Sequence, residues 1–142
     1  MTFEECIRRS VASRFRQYRQ RLRLRQSDVA VGVFGSRAHA VVSNVERGKR
    51  EVTVIELWRA ALLFGVSPLD FFPESGVGAR LRQLRLARGM GQAEVGFAVF
   101  GPGFGAEVSQ IEGGERAPTP QELYRFGQVF GVSLAELMGL AV

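Results

Sequence analysis

Arginine is the side chain with the most chemistry to offer in this sequence, and it is concentrated in one half. Residues 1–72 carry thirteen Arg/Lys against seven Asp/Glu, a net charge of +6, whereas residues 73–142 have a net charge of −1. Clustered guanidinium groups attract polyanions, and nucleic acid is the first candidate partner for such a cluster. The charge distribution therefore predicts that the first half contacts nucleic acid, with an arginine-rich solvated surface as the alternative.

Cysteine and histidine are too scarce for most kinds of catalytic or metal site. The 142 residues contain one cysteine, Cys6, and one histidine, His39, so neither a His/Cys metal cluster nor an intrachain disulfide can form. No pair of carboxylates stands out as a general acid and base. We therefore expect no enzymatic activity, no metal or cofactor and no small-molecule substrate.

The sequence predicts a cytoplasmic protein without membrane contact. No apolar run approaches the roughly 18 residues that a membrane-spanning helix needs. The first ten residues are acidic before they become basic, which is not the pattern of a signal peptide. A single cysteine also fits a reducing compartment.

A long first helix is predicted to position many of the arginines. Thr2 and Glu5 have the spacing of a capping box, which marks a helix N-terminus. Apolar residues then recur every three or four positions, as on one face of a helix; they are Phe3, Ile7, Val11, Phe15, Tyr18 and Leu22. Arginines occupy much of the remaining surface: Arg8, Arg9, Arg14, Arg16, Arg19, Arg21, Arg23 and Arg25. This face is either solvated or close to phosphate, and the residues alone favour neither.

The segment from Gln26 to Arg50 is predicted to form two short helices joined by a tight turn. The first of the two, which is the second helix of the chain, runs from Gln26 to Val33 and closes at Phe34-Gly35, where glycine can adopt the positive φ of a sharp turn. The other, which is the third helix of the chain, is predicted to start at Ser36 or Arg37 and to end near Arg47. An altered copy of the whole segment occurs at residues 92–116.

The repeat extends over most of the chain. Residues 14–72 align with residues 80–138 at a constant offset of 66 without a gap, and about 23 of the 59 aligned positions are identical. A second capping box, at Thr53 and Glu56, recurs at Thr119 and Glu122. The sequence therefore predicts an all-α protein with two tandem five-helix domains, at residues 1–73 and 79–142, joined by a linker at residues 74–78.

Each repeat resembles the lambda-repressor-like, Cro-type helix-turn-helix family of DNA-binding domains. In the first repeat the resemblance is carried by Arg19, Gln26, the segment Val42-Ser43-Asn44-Val45-Glu46-Arg47-Gly48-Lys49-Arg50, Thr53 and Phe64-Gly65-Val66-Ser67. In the second repeat it is carried by Arg85, Gln92, Val108-Ser109-Gln110-Ile111-Glu112-Gly113-Gly114, Thr119 and Phe130-Gly131-Val132-Ser133. The resemblance covers nearly everything except the first dozen residues and the linker.

The resemblance implies one ion pair in each repeat. An arginine on the first helix pairs with the glutamate that ends the third helix, which gives Arg19 with Glu46 and Arg85 with Glu112. Because a guanidinium can hold a carboxylate through two parallel hydrogen bonds, such a pair can fix the third helix to the first.

The resemblance also implies a set of residues that contact DNA. The third helix would enter the major groove, with His39, Ala40 and Asn44 facing bases and Arg37 and Ala38 at its start. Glutamines at the start of the second helix would contact phosphates, as would the basic residues after the third helix. The complete set is Gln26, Ser36, Arg37, Ala38, His39, Ala40, Ser43, Asn44, Arg47, Lys49, Arg50, Gln92 and Gln110.

The sequence departs from the family pattern in two ways. The Gln and Glu that bracket the helix-turn-helix are twenty residues apart in both repeats, about two more than is usual in the family, and the extra length falls at the turn. The second repeat also has no basic side chain at residues 101–107, where Glu107 would repel a polyanion. Only Gln110 remains there as a candidate for contact with a base.

These features predict a sequence-specific regulator of transcription, of the repressor type, that binds double-stranded DNA through its first domain. A homodimer would contact two half-sites of a near-palindromic operator, although a monomer that uses both domains is also possible. The second domain is either a weaker DNA contact or a dimerisation unit. The alternative function is a protein-interaction module, such as an antitoxin, an antirepressor or an adaptor, that uses the same scaffold.

Overall fold

Helices account for all the regular secondary structure in the computed structural model, which describes residues 2–73 and 76–141. The prediction of an all-α protein is therefore confirmed for these residues. In chain order the helices are α1 (Phe3–Arg21), α2 (Gln26–Phe34), α3 (Ala40–Glu46), α4 (Val54–Phe64), a 3-10 helix (Pro68–Phe71), α5 (Gly76–Ala87), α6 (Gln92–Phe100), α7 (Gly105–Glu112), α8 (Pro120–Phe130) and α9 (Leu134–Met138).

Capping boxes start the helices that the sequence predicted them to start. At α1 the backbone N–H of Glu5 donates to Thr2 Oγ1 over 3.1 Å, and the Glu5 carboxylate accepts the Thr2 N–H over 3.0 Å. The same reciprocal pair occurs at α4, between Thr53 and Glu56. Each box satisfies N–H groups that a helix leaves without an intrahelical partner.

The chain divides into two compact units, Met1–Phe72 with Gly139–Val142 and Pro73–Met138. This division differs from the predicted domains, because residues 139–142 belong to the first unit and not to the second. The predicted linker is also too long, since α5 already begins at Gly76. Residues 74 and 75 of that linker lie outside the described residues.

Aromatic side chains fill the core of the first unit. Phe15 lies 5.3 Å from Phe71 and 5.6 Å from Phe64 between ring centroids, and Tyr18 packs edge-on against Phe71. The Tyr18 hydroxyl donates to the Asp70 carbonyl over 3.0 Å, which satisfies its polar end. The predicted apolar stripe on α1 is confirmed at its centre and wrong at Leu22, which caps the helix and is exposed.

The core of the second unit has a different distribution of volume. Leucines occupy the positions that correspond to Phe15, Tyr18 and Phe71, and they are Leu81, Leu84 and Leu137. Phe126, which is 1% exposed, stands where the first unit has the buried Ala60. The second unit thus has smaller side chains at three core positions and a larger one at a fourth, as close packing requires.

Residues 139–141, which we call the closing segment, pack on the first unit. Gly139 has a φ of +70°, and a Cβ there would lie 2.8 Å from Phe3 Cε1 and 3.3 Å from Ile7 Cγ1. Two residues later, the Ala141 N–H donates to the Val52 carbonyl over 3.1 Å. The closing segment therefore covers the N-terminal part of α1.

Candidate nucleic-acid interface

An ion pair joins α1 to the end of α3 in the first unit. Arg19 Nε donates to Glu46 Oε2 over 2.7 Å and Arg19 Nη2 donates to Glu46 Oε1 over 3.0 Å. The third nitrogen, Nη1, donates to the Leu24 carbonyl over 3.1 Å. The hydrogen bond to Glu46 raises the pKa of Arg19 further above its usual value. Because both side chains are largely buried, this pair fixes the position of α3 relative to α1.

The second unit contains the same pair 66 residues further along the chain. Arg85 Nε donates to Glu112 Oε2 over 2.7 Å and Arg85 Nη2 donates to Glu112 Oε1 over 3.0 Å. The Met90 carbonyl accepts from Arg85 Nη1 over 2.9 Å. The ion pair thus fixes α7 to α5 in the second unit as the Arg19 and Glu46 pair fixes α3 to α1 in the first.

The two glutamines for which the resemblance implied phosphate contacts lie beside these ion pairs. Gln26 Nε2 donates to Glu46 Oε1 over 3.5 Å, and Gln92 Nε2 donates to Glu112 Oε1 over 3.2 Å. Both glutamines are half-buried at the first residue of their helices. Their amide groups therefore support the carboxylates within each unit.

The predicted start of α3 at Ser36 or Arg37 is wrong, because the helix begins at Ala40. Gly35 ends α2 with a φ of 63°, in the left-handed region. Ser36 Oγ then accepts the Ala38 N–H over 3.1 Å, and this local bond holds residues 36–38 in a turn that competes with helix formation. Arg37 and Ala38 consequently lie in the turn.

The exposed face of α3 carries the side chains that the resemblance assigned to DNA. Ala40, Asn44 and the C-cap residue Arg47 are all exposed, and their spacing of four and three residues places them on one line along the helix. Arg37 and His39 are exposed in the turn just before this line. Ser43 is half-buried at the edge of the same helix, and Lys49 is exposed in the loop after it.

Arg50, which the resemblance placed at a phosphate, forms an internal ion pair. Arg50 Nη1 and Nη2 donate to the two oxygens of Glu56 over 3.1 and 3.0 Å. Its guanidinium also lies over the Phe34 ring, 4.8 Å from the centroid. Arg50 thus connects α2 to the capping box of α4.

The corresponding arginine in the second unit has an additional partner. Arg116 Nη2 donates to Glu122 Oε2 over 2.7 Å, and Arg116 Nε lies 3.3 Å from Glu107 Oε2. The Phe100 ring lies 5.7 Å from the guanidinium carbon. Glu107, which was expected to repel a polyanion, is therefore partly neutralised within its own unit.

These pairs predict that the first unit loses stability in acid. Burial alone would raise the pKa of Glu56, but hydrogen bonds from Arg50 and Thr53 outweigh it and lower that pKa below 4.5. A carboxyl whose pKa is lowered by folding contributes stability above its unfolded pKa and loses it as pH falls through its folded pKa. We expect Glu56→Gln to cost about 1–2 kcal/mol at neutral pH, with the difference narrowing below pH 4.5.

Urea denaturation can test this, followed through the fluorescence of Trp58, which is the only tryptophan and lies on α4. The exposed Glu51 provides the control, since Glu51→Gln should change little at any pH. If the free energies of unfolding of Glu56→Gln and the wild type differed by the same amount from neutral pH to about pH 3, the lowered pKa of Glu56 would be contradicted.

Two phenylalanines are exposed on α6 and in the loop before α7, and Gly103 stands in that loop where the first unit has Arg37. Phe97 and Phe104 are 64% and 42% exposed, where the first unit has Val31 and Ala38. Gln110 is exposed on α7, and residues 101–104 between the two helices include no charged side chain. This surface is poorly suited to a polyanion.

Within residues 2–73 and 76–141, no three His, Cys, Asp or Glu side chains are grouped to hold a metal ion. In the same part of the chain, no helix combines the length and apolar character needed to cross a bilayer. Comparisons with known proteins gave no matching family model, no matching curated protein and no matching solved structure. The family resemblance therefore depends on the motifs in the sequence.

Proposed function

We propose that this chain is a sequence-specific DNA-binding regulator of transcription, built from two tandem helix-turn-helix units of the lambda-repressor-like kind. The observation that best supports the proposal is the exposed line of Ala40, Asn44 and Arg47 on α3. The ion pair of Arg19 with Glu46 holds this helix in place. The major groove of B-DNA accepts an α-helix, and an exposed helix with these side chains suits it.

The contacts follow from the chemistry of each side chain. Asn44 can bind adenine through two hydrogen bonds, and Arg37 can bind guanine in the same way. His39 lies between them and adds a third polar contact. Arg47 and Lys49, at the other end of α3, are suited to phosphates, which set the position of a protein on the duplex without specifying sequence.

We assign this task to the first unit. Its part of the sequence, residues 1–72, carries a net charge of +6, and the exposed basic side chains around α3 belong to it. In the second unit Gly113 replaces Arg47 and Gly103 replaces Arg37. Its remaining polar candidate on α7 is Gln110, which gives at most a weak contact.

A single DNA-contacting unit favours a homodimer. Two copies related by a two-fold axis would contact two half-sites about one helical turn apart, and the energy of the contacts would add. A dimer that covers a promoter would repress it.

One observation favours the alternative that the chain acts mainly as a protein-interaction module. The second unit exposes Phe97 on α6 and Phe104 just before α7, and exposed apolar surface of this kind is used in protein contacts. An antitoxin, an antirepressor or an adaptor would use such a surface.

Selection of bound duplexes from a random pool tests the leading proposal. We expect enrichment of a symmetric consensus, with half-sites spaced by about 10 base pairs. Failure to enrich any sequence at low salt would rule out specific DNA binding. A protein complex that survives salt high enough to remove DNA would instead support the alternative.

A further inference from the structure

A groove in the first unit combines arginines from two helices. Glu5, Arg8 and Arg9 of α1 line it together with Arg47 and Gly48, which follow α3, and its volume is about 300 Å³. Gly48 has a φ of +72°, so the chain turns away directly after Arg47. Three arginines thus line a space large enough for one phosphate group.

The acidic side chains nearby leave most of this positive charge available. Arg8 approaches Glu51 at 3.9 Å, but the two side chains are 36% and 54% exposed, and exposed pairs at this distance contribute little. Glu5 contributes one negative charge to the groove, which leaves an excess of two positive charges from the three arginines. Arg9 and Arg47 are exposed, without an ion pair to any residue that the structure describes.

The groove continues the line of side chains on α3. Ala40, Asn44 and Arg47 follow one another along the exposed face of that helix, and Arg47 is both the last member of the line and a wall of the groove. A duplex lying along α3 would therefore bring backbone phosphates past Arg47 toward Arg8 and Arg9.

The second unit has no arginine at the positions that correspond to the three arginines of this groove. In the sequence, the positions that correspond to Arg8 and Arg9 hold Glu74 and Ser75. Gly113 stands in place of Arg47. The three arginines are thus particular to the first unit and are not part of the repeated sequence pattern.

We propose that Arg8, Arg9 and Arg47 bind backbone phosphates of the DNA beside the bases contacted by α3, which makes the N-terminal part of α1 a second arm of the interface. The inference depends on the proposed function. Arginine suits this role, because its planar guanidinium donates two parallel hydrogen bonds to a phosphate and keeps its charge at all relevant pH values.

The test compares two double variants that remove the same charge. Arg8→Ala with Arg9→Ala empties one side of the groove, whereas Arg59→Ala with Arg125→Ala removes exposed arginines from α4 and α8. Affinity for a selected duplex is measured by fluorescence anisotropy between about 50 and 200 mM salt. We expect the groove variant to bind about tenfold more weakly, with a salt slope smaller by about 0.9 for each lost phosphate contact. The control should keep the wild-type slope.

Duplex length gives a second measurement that is independent of folding. Shortening the duplex on the side next to the groove should weaken wild-type binding and leave the groove variant unchanged. Equal losses in the two double variants, or an equal effect of shortening on wild type and the groove variant, would overturn the inference. Failure of the wild type to bind any duplex would instead overturn the proposed function.

Free phosphate is the other source of the same chemistry. Inorganic phosphate, titrated at millimolar concentration, should only weakly perturb the NMR signals of Arg8 and Arg9 side chains in the wild type. Tight binding of inorganic phosphate, lost in the groove variant while DNA affinity is retained, would identify a small-anion site and overturn the assignment to DNA.

Discussion

Replacing Glu46 with alanine is expected to lower the free energy of unfolding of the first unit by about 3 kcal/mol. Glu46 accepts both hydrogen bonds that orient the guanidinium of Arg19, and its side chain is only 5% exposed. Without the carboxylate, Arg19 keeps a buried positive charge with a single remaining acceptor, the Leu24 carbonyl. Most of the loss comes from this uncompensated charge, because removing one partner of a buried pair costs more than the pair itself contributes.

Urea denaturation of the purified chain, followed through Trp58 fluorescence, measures this loss. Glu51→Ala is the matched control, since Glu51 is exposed and 3.9 Å from its arginine, and it should cost less than about 0.5 kcal/mol. Glu112→Ala should destabilise the second unit by a similar amount to Glu46→Ala, as followed by circular dichroism. Equal urea midpoints for Glu46→Ala and the wild type would contradict the structural role that we assign to the pair of Arg19 and Glu46.

Replacing Arg37 and Asn44 together with alanine is expected to abolish most discrimination between the selected operator and random DNA. Both side chains are exposed beside or on α3, and neither forms an ion pair with a described residue. A side chain that binds a base through two hydrogen bonds contributes about 1–3 kcal/mol of discrimination. Loss of two such contacts should reduce the ratio of specific to non-specific affinity by about a hundredfold or more.

Competition assays with operator and random duplexes measure that ratio directly. Arg125→Ala with Gln128→Ala is the control, because both residues are exposed on α8. Like the test variant, it replaces one arginine and one side-chain amide with alanine. The two variants should have equal stability, since neither removes a buried contact. Retained discrimination in the Arg37 and Asn44 variant would show that other residues specify the sequence.

Helices that begin with a capping box could be located from the sequence, whereas α3 could not. Thr2 and Thr53 have a glutamate three residues later, and both begin helices in the structure. His39, the N-cap residue of α3, has αR backbone angles and makes no side-chain capping bond. Ser36 is a good N-cap residue by type, but its hydroxyl stabilises a turn instead. The start of α3 is therefore set by a local bond of Ser36 that competes with its use as an N-cap, and the residue type permits both.

The ion pair of Arg50 is a contact that the repeat could have revealed. Phe34, Arg50 and Glu56 are each identical to the residue 66 positions later, namely Phe100, Arg116 and Glu122. Most of the basic side chains around α3 have no basic counterpart around α7 in the second unit. An arginine present in both units is therefore better explained by a structural partner than by DNA. The family resemblance implied a phosphate contact for Arg50, and comparison of the two units would have indicated its ion pair as well.

Docking of the closing segment onto α1 makes the second unit a loop between two parts of the first. Its ends are held because Phe72 is in the core of the first unit and Ala141 is bonded to Val52. Closing a flexible loop costs entropy that increases with its length. The flexible part of the chain between Phe72 and the closing segment is shorter when the second unit is folded than when it is unfolded. Folding of the second unit therefore raises the effective concentration of the closing segment at α1. Chain connectivity alone thus couples the stabilities of the two units, and the Ala141 amide proton should exchange with solvent faster in Glu112→Ala than in the wild type.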